Sequence, residues 1–98
     1  MKAIPKIIKF YEDESGKCPF GEWFENINDE EIKDRIDTRL ARLAAGLLGD
    51  YKSVGKGVLE LRMDIGPGYR IYFAMKGCHI VILLCGGDNN TVDSFLKS

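Results

Sequence analysis

Gly57-Val58-Leu59-Glu60-Leu61-Arg62-Met63-Asp64-Ile65-Gly66-Pro67-Gly68-Tyr69-Arg70-Ile71-Tyr72-Phe73-Ala74 is the stretch on which the fold turns. Two β-rich runs, Val58 to Met63 and Tyr69 to Met75, flank Gly66-Pro67-Gly68, a strong turn signal. Side chains alternate across a strand. Leu59, Leu61 and Met63 therefore share one face of the first run, and Glu60 and Arg62 take the other. On the second run Tyr69, Ile71, Phe73 and Met75 oppose Arg70, Tyr72 and Ala74. The apolar rows are expected to meet the rest of the core. Glu60, Arg62, Arg70 and Tyr72 are then left together on the opposite face.

Lys76-Gly77 turns into a third run, His79 to Cys85. Its unbroken Ile80-Val81-Ile82-Leu83-Leu84 predicts a central strand covered on both sides. Upstream, Leu47 to Gly57 reads as a connection. Before it, Pro19 opens a helix whose Phe20, Trp23, Phe24 and Ile27 recur at helical spacing. Asn28 with Glu31 three residues on reads as an N-cap and capping box. The second helix runs from Asp29 to about Ala45, burying Ile32, Ile36, Leu40 and Leu43 and stopping at Gly46. Ile4 to Tyr11 reads as a first strand and Glu12 to Lys17 as a turn. The expectation is one α+β domain over residues 1–98. It comprises an N-terminal strand, a two-helix hairpin, then a three-stranded antiparallel meander with the helices on one face of the sheet.

Composition narrows the classes. The chain has 98 residues and a formal net charge of −1, which argues against a uniformly basic nucleic-acid binder but allows a local basic patch. Cys18, Cys78 and Cys85 are odd in number and match no zinc spacing, so free thiols in a reducing cytoplasm are expected. No signal peptide is expected, and no apolar stretch approaches the ~20 residues that span a membrane. Neither a metal nor a cofactor is implied.

Two guanidinium groups and a phenol on neighbouring strands suit a phosphodiester. Arginine grips phosphate oxygens in a bidentate way, and tyrosine stacks on a base or donates a hydrogen bond. Arg62, Arg70 and Tyr72 are therefore candidate catalytic residues. Glu60 is the best local candidate for a base or for a group that orients an arginine. The alternative is a solvated sheet face carrying cross-strand charge pairs. Arg35, Arg39 and Arg42 form a basic stripe on the second helix. They suit an RNA backbone or an acidic partner, against a solvated face with Glu31–Arg35 support that the spacing favours for each singly. Lys52 and Lys56, in the connection, extend the basic set or are ordinary loop lysines. His79, the only histidine, suits a surface or capping role at a strand start.

The quoted stretch from Gly57 to Ala74 resembles the core signature of HigB-like addiction-module killer proteins, a phage-related branch of the RelE/ParE toxin superfamily. Ile80 to Leu84 followed by Cys85-Gly86-Gly87-Asp88, and Pro19-Phe20 leading into Trp23, extend the resemblance to nearly the whole chain up to Asp88. It implies a RelE-like fold and a cytoplasmic toxin of a type II toxin–antitoxin pair. The implied activity is ribosome-dependent messenger RNA cleavage, neutralised by a helix-turn-helix antitoxin. Arg62, Arg70 and Tyr72 fall at positions expected to line the RNA-facing cleft. A gyrase-inhibiting binder of the ParE kind and an inactive toxin remnant are the alternatives. Relatives carry a lysine where this chain has Asn89, and residues 89–98 depart from the pattern, so weakened cleavage is expected.

Overall fold

A computed structural model describes residues 3–65 and 68–87. In chain order the elements are β1 (Ile7–Phe10), α1 (Pro19–Glu25), α2 (Glu30–Ala44), β2 (Tyr51–Gly55), β3 (Val58–Met63), β4 (Tyr69–Lys76) and β5 (Ile80–Gly87). The strands form one five-stranded sheet in the order β1-β5-β4-β3-β2. All neighbours are antiparallel except β1 and β5, which are parallel.

This corrects the expected three-stranded meander. β3, β4 and β5 are the middle of a larger mixed sheet, which gains a strand at each edge. β2 lies inside the segment expected to be a connection. It turns into β3 through Lys56 and Gly57, whose φ values of 54° and 76° are those of a two-residue hairpin loop with both residues left-handed. At the other edge β1 lies parallel beside β5, with Ile7 opposite Ile80 and Phe10 opposite Leu83. β1 is also shorter than expected, because Lys6 N–H leaves the sheet to bond the Ala44 carbonyl at the end of α2.

The helices follow local chemistry. Asp29, rather than Asn28, caps α2: its carboxylate accepts from the N–H groups of Glu31 and Ile32. At the far end Gly46 (φ 89°) donates to Leu43 O and Leu47 donates to Arg42 O, the paired bonds of a Schellman stop. Gly46 has a second reason to lack a side chain, since a Cβ there would meet the Ile4 carbonyl.

Both helices pack on one sheet face. Phe20, Ile36 and Leu43 from the helices meet Leu61, Met63, Ile71, Phe73, Val81 and Leu83 from the strands, all buried. The opposite face carries a smaller cluster of Val58, Tyr72 and Cys85, with Val54 and Leu84 against it. A bulge in β5 makes this second cluster. Tyr72 pairs with Cys85 but Phe73 pairs with Leu83, so Leu84 is extra. Strict alternation from Val81 and Leu83 would send Cys85 towards the helices; the bulge moves it into the row of Tyr72 and returns Gly86 to the helix face.

Candidate functional site

The site is built on β3 and β4. Glu60 is opposite Tyr72 and Arg62 is opposite Arg70, so the four residues form a two-by-two block on the face away from the helices. Register also fixes how near they come. Arg62 N–H bonds Asp50 O, on the β2 side. The N–H and C=O of one residue in an antiparallel strand point to the same edge, so Arg62 and Arg70 are a non-hydrogen-bonded pair, the kind whose side chains lie closest.

Glu60 is the hub. It is buried, 5% exposed, and is the one buried charged residue among those described. Its Oε1 accepts from Arg62 Nε at 3.2 Å and lies 3.7 Å from Arg70 Nε. The Tyr72 side chain is hydrogen-bonded to Glu60 as well. A carboxylate out of water is costly unless paired, and here it is paired twice. Burial first, then the Glu60 carboxylate, holds the Tyr72 hydroxyl well above the ordinary phenol range, so it stays protonated. Arg70 Nη1 donates to Tyr69 O at 3.1 Å. Among the described residues the terminal nitrogens of Arg62, a side chain 37% exposed, have no acceptor. The block thus gathers the Nε atoms of two arginines on one carboxylate and leaves the Arg62 side chain part-exposed, an arrangement suited to an oxyanion.

Three candidate roles change. Tyr72 has no exposed surface, so stacking on a base is not available to its ring; it contributes a hydroxyl to Glu60. Glu60, closed in by two arginines and a tyrosine, is placed as an anchor for them. The helix stripe is in part engaged within the fold. Arg35 pairs with Glu31 at 3.6 Å. Arg39 is half-buried and donates to three carbonyls: Arg62 O at 2.8 Å, Asp50 O at 3.1 Å and Leu48 O at 3.3 Å. Arg42 is exposed in the last turn of α2, where a cation suits the helix dipole. The groove of about 400 Å³ that the three line also contains Glu31, Asp34 and Asp64, which balance them.

Lys52 is exposed and lies across from Glu60, so it extends the row Lys52, Glu60, Tyr72, Cys85 over four strands. Lys56 is exposed at the β2–β3 turn. His79 is exposed in the β4–β5 turn and its carbonyl accepts from Ile7 N–H. Asn89 and the rest of 88–98 lie outside the described residues, as do Gly66 and Pro67 of the expected turn; Gly68 N–H closes onto Ile65 O at 3.0 Å. The described cysteines are free thiols, and burial pushes Cys85 up to about 11. Among the described residues no group of acidic, histidine and cysteine side chains is placed to hold a metal, and no helix is long and apolar enough to cross a membrane.

Sequence reasoning missed two supports of the site. One is Arg39, whose spacing on a helix said nothing of the carbonyls it reaches. The other is Gly86, opposite Ile71, over which the Trp23 ring lies so closely that a Cβ would fall inside it. Trp23 in turn meets Tyr69 edge-on at 6.0 Å between centroids. The aromatic of α1 therefore packs on the strand ends that carry Arg70 and its partner Gly87.

The fold and the block define a two-layer α+β protein with a buried carboxylate–diarginine cluster on the sheet face away from the helices. The chain is 44% identical over 78 residues to an uncharacterized protein of Haemophilus influenzae, covering 80% of this chain and 79% of that protein. It belongs to the same family as that protein. No family model matches the chain, and no solved structure matches it.

Proposed function

We propose that this chain is the toxin of a type II toxin–antitoxin pair, HigB-like in sequence, and that it cleaves ribosome-bound messenger RNA. The observation that carries the reading is the buried Glu60 holding Arg62 and Arg70 side by side, with the Arg62 side chain part-exposed. In the proposed reaction the RNA 2′-hydroxyl attacks the adjacent phosphorus and gives its proton to water, a P–O bond forms, and the bond to the 5′-oxygen breaks, the departing oxygen taking a proton from water. Charge accumulates on the non-bridging oxygens. Arg62 and Arg70 meet it, an electrostatic contribution that needs no group with a neutral pKa. Tyr72 and Glu60 hold the two guanidinium groups still, which limits the reorganisation needed as charge develops. A helix-turn-helix antitoxin is the proposed partner.

The test is translation in vitro with primer extension on ribosome-bound message. The wild-type chain is expected to produce discrete breaks. Arg62→Ala and Arg70→Ala at equal folded concentration are expected to lose about a hundredfold or more in rate, the usual effect of removing one stabilising donor. Translation arrest without breaks, or supercoiling inhibition in place of translation arrest, would refute the ribonuclease reading.

A further inference from the structure

We propose that Arg39 is a positioning residue for Arg62, acting through the main chain of β3 rather than by touching RNA. The inference rests on the ribonuclease reading for what Arg62 does and on geometry alone for how Arg39 reaches it. β2 begins at Tyr51, which is opposite Leu61. In the alternating pattern the hydrogen-bonded rung at Lys52–Glu60 is followed by one at Asp50–Arg62. Only half of that rung is made by the backbone, since Arg62 N–H donates to Asp50 O at 2.9 Å. Arg39 supplies the other half: Nη1 donates to Arg62 O at 2.8 Å while Nη2 donates to Asp50 O at 3.1 Å and to Leu48 O at 3.3 Å.

The consequence is specific to Arg62. Its N–H and C=O both face the β2 edge, so neither is held by β4. The backbone of Arg62 is thus fixed at its N–H by Asp50 and at its C=O by a side chain from α2. The loop is shaped to admit that side chain. Gly49 has a φ of 70°, and a Cβ there would sit 2.8 Å from Arg39 Nη2. The planar fork is what lets one residue bond several carbonyls at once. A lysine in its place is a single point charge.

Arg39→Lys and Arg39→Met are compared with wild type at equal folded concentration, with steady-state cleavage of ribosome-bound message and the NMR resonance of Arg62 Nε–H as readouts. The resonance is expected to move in both variants without RNA present. Cleavage is expected to fall in kcat by roughly a hundredfold, the scale of a 1 Å misplacement, with KM little changed. If Arg39 instead contacts phosphate, KM rises, kcat holds and the salt dependence weakens by about one charge, which overturns the proposal. An unmoved Arg62 resonance overturns it whatever the rates, and so does a moved resonance with full activity. Should wild type prove inactive on RNA, the ribonuclease reading falls while the resonance still decides whether Arg39 holds Arg62. Arg39→Lys keeps that readout available if Arg39→Met does not fold.

Discussion

At the scale of single residues, Glu60 determines what its neighbours can do. Replacing it with Gln keeps the shape and removes the charge that holds two arginines at close quarters. Glu60→Gln is expected to destabilise the chain by about 1–3 kcal/mol, read as a lower urea midpoint. A variant as stable as wild type would show the cluster to be energetically neutral. Tyr72 has a sign that can be checked. Its folded pKa lies above the unfolded value, so the native state retains a proton that the unfolded chain releases above about pH 10. Its contribution is therefore complete below that pH and is lost as pH rises through the folded value. As pH rises above about 10, wild type is expected to lose more stability than Tyr72→Phe; equal losses would remove Tyr72 from the account. The strand period alone brought Glu60, Arg62, Arg70 and Tyr72 to one face. It could not say that the tyrosine is inaccessible, because burial on that face depends on the Cys85 row, and the bulge at Leu84 that creates the row leaves no mark in an all-apolar run.

At the scale of elements, β2 shows why a strand can hide. Lys52 and Ser53 are exposed and Tyr51 is 46% exposed, so no apolar alternation marks it. Its legible sign was Lys56-Gly57, a residue pair fit for a left-handed two-residue loop between Gly55 and Val58. The helices were easier, because their stripes and caps are local; the cap moved by one residue, from Asn28 to Asp29. β5 runs past the expected end at Cys85 and takes in Gly86 and Gly87. Gly86 is a strand residue whose missing side chain makes room for Trp23. Gly86→Ala is expected to cost about 1–3 kcal/mol by overpacking, seen as a lowered melting temperature. Adding Trp23→Leu is expected to recover part of it. If the double variant is worse by the sum of the two, the ring and the glycine do not interact.

At the scale of the whole molecule, the pairing of β1 with β5 was beyond the reach of pattern. Periodicity reports which face a strand buries and says nothing of which strand it lies beside. That pairing protects the sheet. Val81 and Leu83 belong to the core, and β1 covers the outer edge of their strand. Deleting residues 1–10 is expected to bare that edge and yield an aggregating chain, by light scattering at concentrations where the full chain stays clear. A monomeric, folded truncation would show that β1 is an ornament.

The same pairing sets an order of events. Lys6 bonds the carbonyl of Cys78, 72 positions away, and Ile7 waits for Ile80. Closing so long a loop delays folding, because chain entropy is lost before the contacts return it. On a translating ribosome the earliest strand to emerge has no neighbour until nearly the last has been made. The nascent chain thus remains an open sheet for most of its synthesis, and the finished surface comes into being almost at once, when β5 slides in between β1 and β4.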